Sequence, residues 1–261
     1  MSRAAIARIF SVAFLWGLCA LGAWGALVAV GAGAPLRPAL ATTGAANGTH
    51  VIDTNTAHSD NAPTWVTGSR IDSIQDRISD KLGGSDFHKI SLTFYTDQAA
   101  FRKAHGFDDT VLAFTIKPEN AVSIGPRVTT ADFDPIFGHE LVHVILYQKY
   151  KNAVPSWLEE GLANYLVHYG KVDYAWLASQ PPRDVTLLAH PFGSNGRIMP
   201  GGARYAYQAS QALMEMIATH CEVTDLVGMS VGKKLESYLP TMCGIDDLNA
   251  EFKKWIRSKA R

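Results

Sequence analysis

From Ile136 to Tyr147 the only ionisable side chains besides Tyr147 itself are His139, Glu140 and His143. The rest of that run is apolar or glycine, which reads as a buried helix. Residues four apart share one face of a helix, so His139 and His143 stand one turn apart. Two neutral imidazoles at that spacing can grip one zinc ion. Glu140, beside the first of them, can then reach a metal-bound water as general base. A buried carboxylate is costly unless it is paired, hydrogen-bonded or near a metal. The competing reading is two core histidines with a protonated or salt-bridged glutamate, and it must explain three buried polar groups on one side of a helix.

A catalytic zinc site takes three protein ligands and leaves one position for water. A third histidine in the pattern His-Glu-x-x-His-x-x-Gly-x-x-His is excluded, because Leu146 and Lys149 occupy the required places. A downstream carboxylate remains. Pro155-Ser156 opens a second predicted helix, Trp157 to Tyr169, that carries Glu159 and Glu160. An antiparallel helix hairpin brings either acid toward the histidines. The stripe Trp157, Leu158, Leu162, Tyr165, Leu166 does not choose between them, and both also fit as solvated acids at a helix N-terminus.

The segment His139-Glu-Leu-Val-His143, followed by Pro155-Ser-Trp-Leu-Glu-Glu-Gly-Leu-Ala-Asn-Tyr165, resembles the gluzincin metallopeptidases. It is particularly similar to the bacterial peptidase MA-like group, which shares the helical zinc-binding core of thermolysin-type and aminopeptidase-N-type enzymes. The strong part covers about residues 133 to 170. A weaker likeness extends to the strands near Ile90 to Ile124 and to the C-terminal helices. The resemblance implies Glu160, the acid before Gly161, as third ligand, with Glu159 at a variable position. It implies a zinc-dependent peptidase in which Zn²⁺ is held by His139, His143 and Glu160, and Glu140 takes a proton from water. It also implies a tyrosine near the start of a later helix that stabilises the oxyanion. Tyr205 and Tyr207 both fit, and Tyr207 is favoured. An edge strand at Ala121–Ile124 is expected to pair with extended substrate. The sixteen residues between His143 and Glu160 are fewer than in the best-known gluzincins, which shortens the connecting loop.

Other features place this unit. No charged residue lies between Arg8 and Arg37, and Ile9 to Gly33 is long enough to span a bilayer, for which about 20 apolar residues suffice. With Arg3 and Arg8 at its start, it is expected to be a signal anchor over residues 1–34 that leaves the rest extracytoplasmic. The alternative is a secreted protein, cleaved after Ala41. Residues 35–62 read as a flexible linker, with His50 and His58 as bystanders, and 63–261 as the catalytic domain. The formal net charge is zero, which argues against a nucleic-acid partner. Peptide or protein substrate and membrane are the expected partners. Cys221 and Cys243 are either a disulfide or two buried thiols.

The expected fold class is α+β, with a small sheet in the front half and helices behind. Strands are predicted at Ile90–Tyr95, Val111–Ile116 and Ala121–Ile124. Helices are predicted around Ile71–Ile78, after Asp97, over Tyr205–Thr219 and Leu226–Leu239, and from Leu248 to the terminus, with Lys171–Gly202 irregular. Two other functions fit the same motif. One is a non-catalytic, zinc-containing binding module. The other is a zinc hydrolase of a non-peptide substrate.

Overall fold

The computed structural model describes residues 10–14, 48–84, 87–107, 109–168, 170–188, 202–230 and 234–261. The chain is α+β. Five strands lie between residues 49 and 124: β2 (Thr49–Asp53), β3 (Ala57–Pro63), β4 (Ile90–Phe94), β5 (Val111–Ile116) and β6 (Ala121–Ile124). A further strand, β1 (Phe10–Phe14), adds to the outer side of β5, giving the order β1-β5-β6-β4-β3-β2. The sheet is mixed, since β3–β4 and β4–β6 are parallel and the other pairs antiparallel.

Helices follow as the periodicity predicts. α1 (Gly68–Lys81) buries Ile71, Ile74 and Ile78 and is capped by Thr67. α2 (Gln98–His105) is capped by Asp97, whose side chain accepts the Ala100 N–H. This satisfies one of the donors that a helix start leaves open. α3 (Phe133–Tyr150) is buried without interruption from Ile136 to Leu146. It packs between the sheet, chiefly β5, and α4 (Ser156–Val167), with α1 alongside. α5 (Tyr174–Ser179) lies within the stretch expected to be irregular. α6 (Gly202–Ile217) packs closely on α4. The chain ends with α7 (Val223–Gly228), α8 (Leu239–Cys243) and α9 (Leu248–Lys259). Lys253, Lys254, Arg257 and Lys259 are exposed on α9, as expected of a solvated face.

Several expectations change. Residues 49–62 are not a linker but most of a β-hairpin that joins the sheet through β3. β2 turns only Ile52 inward, and the inward residues of β3 are Ala57, Ser59 and Ala62. Such small side chains carry almost no hydrophobic signal, so the pattern looks like a linker until β4 supplies the partner. Asn61 extends that pairing, donating to the Phe94 carbonyl at 2.7 Å and accepting the Phe94 N–H at 3.2 Å. The strand β6 is not an edge: β5 and β4 pair with both of its sides. Leu226–Leu239 is not one helix. α7 stops at Gly228, Leu235–Ser237 is a single 3₁₀ turn, and α8 starts at Leu239 with Pro240 in its first turn, where a missing N–H is tolerated.

Most of the apolar span Ile9–Gly33 lies outside the described residues, as do the Ala41 cleavage point and residues 35–47. Phe10–Phe14 is strand, where the span predicts helix. Its sequence is rich in β-formers, and β5 offers the open edge that a lone strand lacks. Among the described residues no helix is long and apolar enough to cross a membrane.

Cys221 and Cys243 are bridged, with Cα atoms 4.9 Å apart. The link closes the chain over a sequence separation of 22 between the end of α6 and α8. Constraining a loop of that size in the unfolded chain is worth about 3 kcal/mol. Cys243→Ser is therefore expected to lower the unfolding free energy by about that amount in a denaturant titration. An unchanged midpoint and slope would show that the bridge adds no stability.

Candidate metal centre

The two histidines project from the middle of α3 and are fully buried among its apolar residues. Their Nε2 atoms are 3.2 Å apart. Glu160, on α4, completes the group: its Oε2 is 3.7 Å from His139 Nε2 and its Oε1 is 3.6 Å from His143 Nε2. His139, His143 and Glu160 each offer one ligand atom within 4.8 Å of the others. Ligands about 2.0–2.1 Å from a tetrahedral ion lie roughly 3.3–3.4 Å from one another, so the spacing fits a small cation. The group could hold a metal ion.

Glu159, which the sequence leaves as an alternative ligand, does another job. Its Oε1 accepts a hydrogen bond from His143 Nδ1 at 2.7 Å and pairs with the Lys117 ammonium. With the proton on Nδ1, the lone pair of His143 lies on Nε2, directed at His139 and Glu160. Glu140 is fully buried, and its Oε2 accepts the Thr115 hydroxyl at 2.7 Å. Thr115 comes from β5 and Lys117 from the turn after it, so the sheet supports the helix pair from one side.

Electrostatics distinguish the two adjacent acids. Burial pushes the Glu160 carboxyl well above the usual range, and the charges of Glu159 and Glu140 push the same way, against a smaller pull from Lys117. Burial acts on Glu159 too, but Lys117 and the His143 hydrogen bond outweigh it and hold this carboxyl at about 2. Burial lowers the His143 pKa against the opposing pull of Glu159, which favours the neutral imidazole that metal ligation needs. Glu140, Glu159 and Glu160 are all largely buried, and Lys117 pairs with Glu159. A divalent cation between the ligands would offset carboxylate charge that is costly to bury.

Gly161 explains how Glu160 gets there. A Cβ at this position would stand 2.2 Å from the Ser210 carbonyl oxygen of α6 and 3.1 Å from Met214 Cβ. Only glycine lets α4 and α6 cross this closely. Gly161→Ala should cost about 3 kcal/mol, the upper end of overpacking, because a backbone atom cannot swing aside. It should also weaken metal binding, although it removes no ligand. Thermal melts and a metal titration read both effects, and a variant as stable as the parent would refute the close crossing.

The tyrosines separate by orientation. Tyr205 lies under the Arg183 guanidinium, 4.8 Å from ring centre to Cζ, in a groove with Pro181 and Phe252. Tyr207 is on the α6 side that bears Ser210 and Met214, toward α4, and is buried. Thr115 and Lys117 were not legible as site residues. The one hint is a lysine directly after the apolar run Val111–Ile116, where a solvated end is the ordinary reading. Comparisons with protein-family models, curated proteins and solved structures gave no match.

Proposed function

We propose that the chain is a zinc-dependent peptidase of gluzincin type. The observation that supports it is the convergence of His139, His143 and Glu160 from two helices, with Glu140 adjacent on the first. Two imidazoles and a carboxylate suit zinc, which when bound would supply a Lewis acid that acidifies water and polarises a carbonyl. Glu140 takes the proton of the attacking water as the oxygen adds to the scissile carbonyl carbon. The same carboxyl then returns a proton to the nitrogen as the C–N bond breaks, so that acid and amine leave. The Thr115 hydroxyl holds Glu140 in place through this exchange. In this reading Tyr207 donates to the developing oxyanion. This reading keeps the extracytoplasmic location expected from the uncharged stretch between Arg8 and Arg37 of the sequence.

Incubation of the purified chain with a broad peptide library, with and without chelator, tests the reading, alongside metal analysis. Zinc at one equivalent with chelator-sensitive cleavage is the expected result. Zinc without cleavage of any peptide would defeat it. That outcome would favour a non-catalytic zinc module, a reading that draws on the near-complete burial of the ligand set. Chelator-sensitive turnover of esters or amides alone would move the substrate to the non-peptide class.

A further inference from the structure

Lys117 is 5% exposed at its side chain, and lysines are seldom buried without a partner. Its partner is Glu159, whose Oε1 also accepts the Nδ1–H of His143 at 2.7 Å. A continuous line therefore runs from the turn after β5, through α4, to a metal-ligand candidate on α3. No step of peptide hydrolysis uses either residue. We propose that Lys117 and Glu159 are positioning residues of the metal centre. The Lys117 ammonium fixes the Glu159 carboxylate, and Glu159 fixes the tautomer and rotation of His143 so that Nε2 meets the ion. This proposal rests on the metal-centre reading but not on peptidase activity.

Three features carry it. The hydrogen bond lies on the ring nitrogen away from Glu160, the one that must be protonated if Nε2 is to ligate. A charged acceptor at Nδ1 makes the ring a better donor to a metal than a neutral one does. The lysine also gives a second buried acid, next in sequence to Glu160, a charge partner of its own on the side of the sheet.

The test is the zinc affinity of the full-length apoprotein, measured by competition with a chromophoric chelator, together with the visible spectrum of the Co²⁺-loaded protein. Glu159→Gln keeps the shape and removes the charge. The double variant Lys117→Met with Glu159→Gln removes the pair together, so that no buried charge is stranded if a single change prevents folding. Both are expected to keep the parent's circular dichroism, bind zinc roughly 10–100-fold more weakly and shift the cobalt bands. A merely structural ion pair would lower the melting temperature and leave affinity and spectrum at the parent's values, and that result overturns the proposal. A parent chain that binds no metal overturns the metal centre itself, and this proposal with it.

Discussion

Replacing Glu140 by glutamine is expected to lower turnover by roughly two to four orders of magnitude while zinc stays bound. The amide oxygen still accepts the Thr115 hydroxyl that now reaches Oε2 at 2.7 Å, so position and packing survive. What disappears is the group that accepts a proton. The charge of Glu140 also helps to push Glu160 up, so the variant relieves a repulsion and should hold metal at least as well. Turnover and zinc content measured on one preparation separate the two effects. Parent-like kcat with full zinc would remove Glu140 from the chemistry. A joint loss of zinc and activity would instead make Glu140 part of the metal-holding set.

Glu160→Ala is expected to remove stoichiometric zinc. It takes away one of three ligands and leaves two imidazoles on one helix. The loss of affinity should exceed the roughly 10–100-fold that follows removal of a supporting residue. Glu159→Ala is the matched control. It should load zinc at saturation with reduced affinity, because it disturbs His143 without touching the ligand count. Zinc retained by Glu160→Ala and lost by Glu159→Ala would exchange the roles of the two acids. The expected asymmetry follows from placement: Glu160 lies within 3.7 Å of both Nε2 atoms, whereas Glu159 sits on the far nitrogen of one ring.

Local patterns account for much of what could be read in advance. Val111–Ile116 and Ala121–Ile124 have the predicted strand bounds, because runs of β-formers punctuated by Pro118 and Asn120 leave few alternatives. The helix of the histidines was legible for a similar reason: an apolar stretch too long for a strand. The β2–β3 hairpin is not, because Ile52 is the lone large apolar residue it buries and Ala57, Ser59 and Ala62 bury too little apolar surface to announce a strand. The edge position of Ala121–Ile124 is implied by resemblance alone, and it fails because β6 pairs with β4 over a long sequence separation that no local pattern encodes. Spacing alone does not pair Cys221 with Cys243, because only the packing of α8 beside the end of α6 brings the two sulfurs within bonding reach.

The sequence by itself determined that two imidazoles share a helical face, that a carboxylate sits beside the first, and that Glu159 and Glu160 follow on the next helix. Those are matters of the 3.6-residue repeat, which acts over one turn. Which acid turns inward was decided by tertiary structure. α4 crosses α6 so closely at Gly161 that its rotation is fixed, and that rotation aims Glu160 at the histidines. Lys117, arriving from the sheet, then gives Glu159 a charge partner and a separate task. Adjacent glutamates are equivalent in sequence, and they part only when the packing of three elements gives each its own electrostatic surroundings.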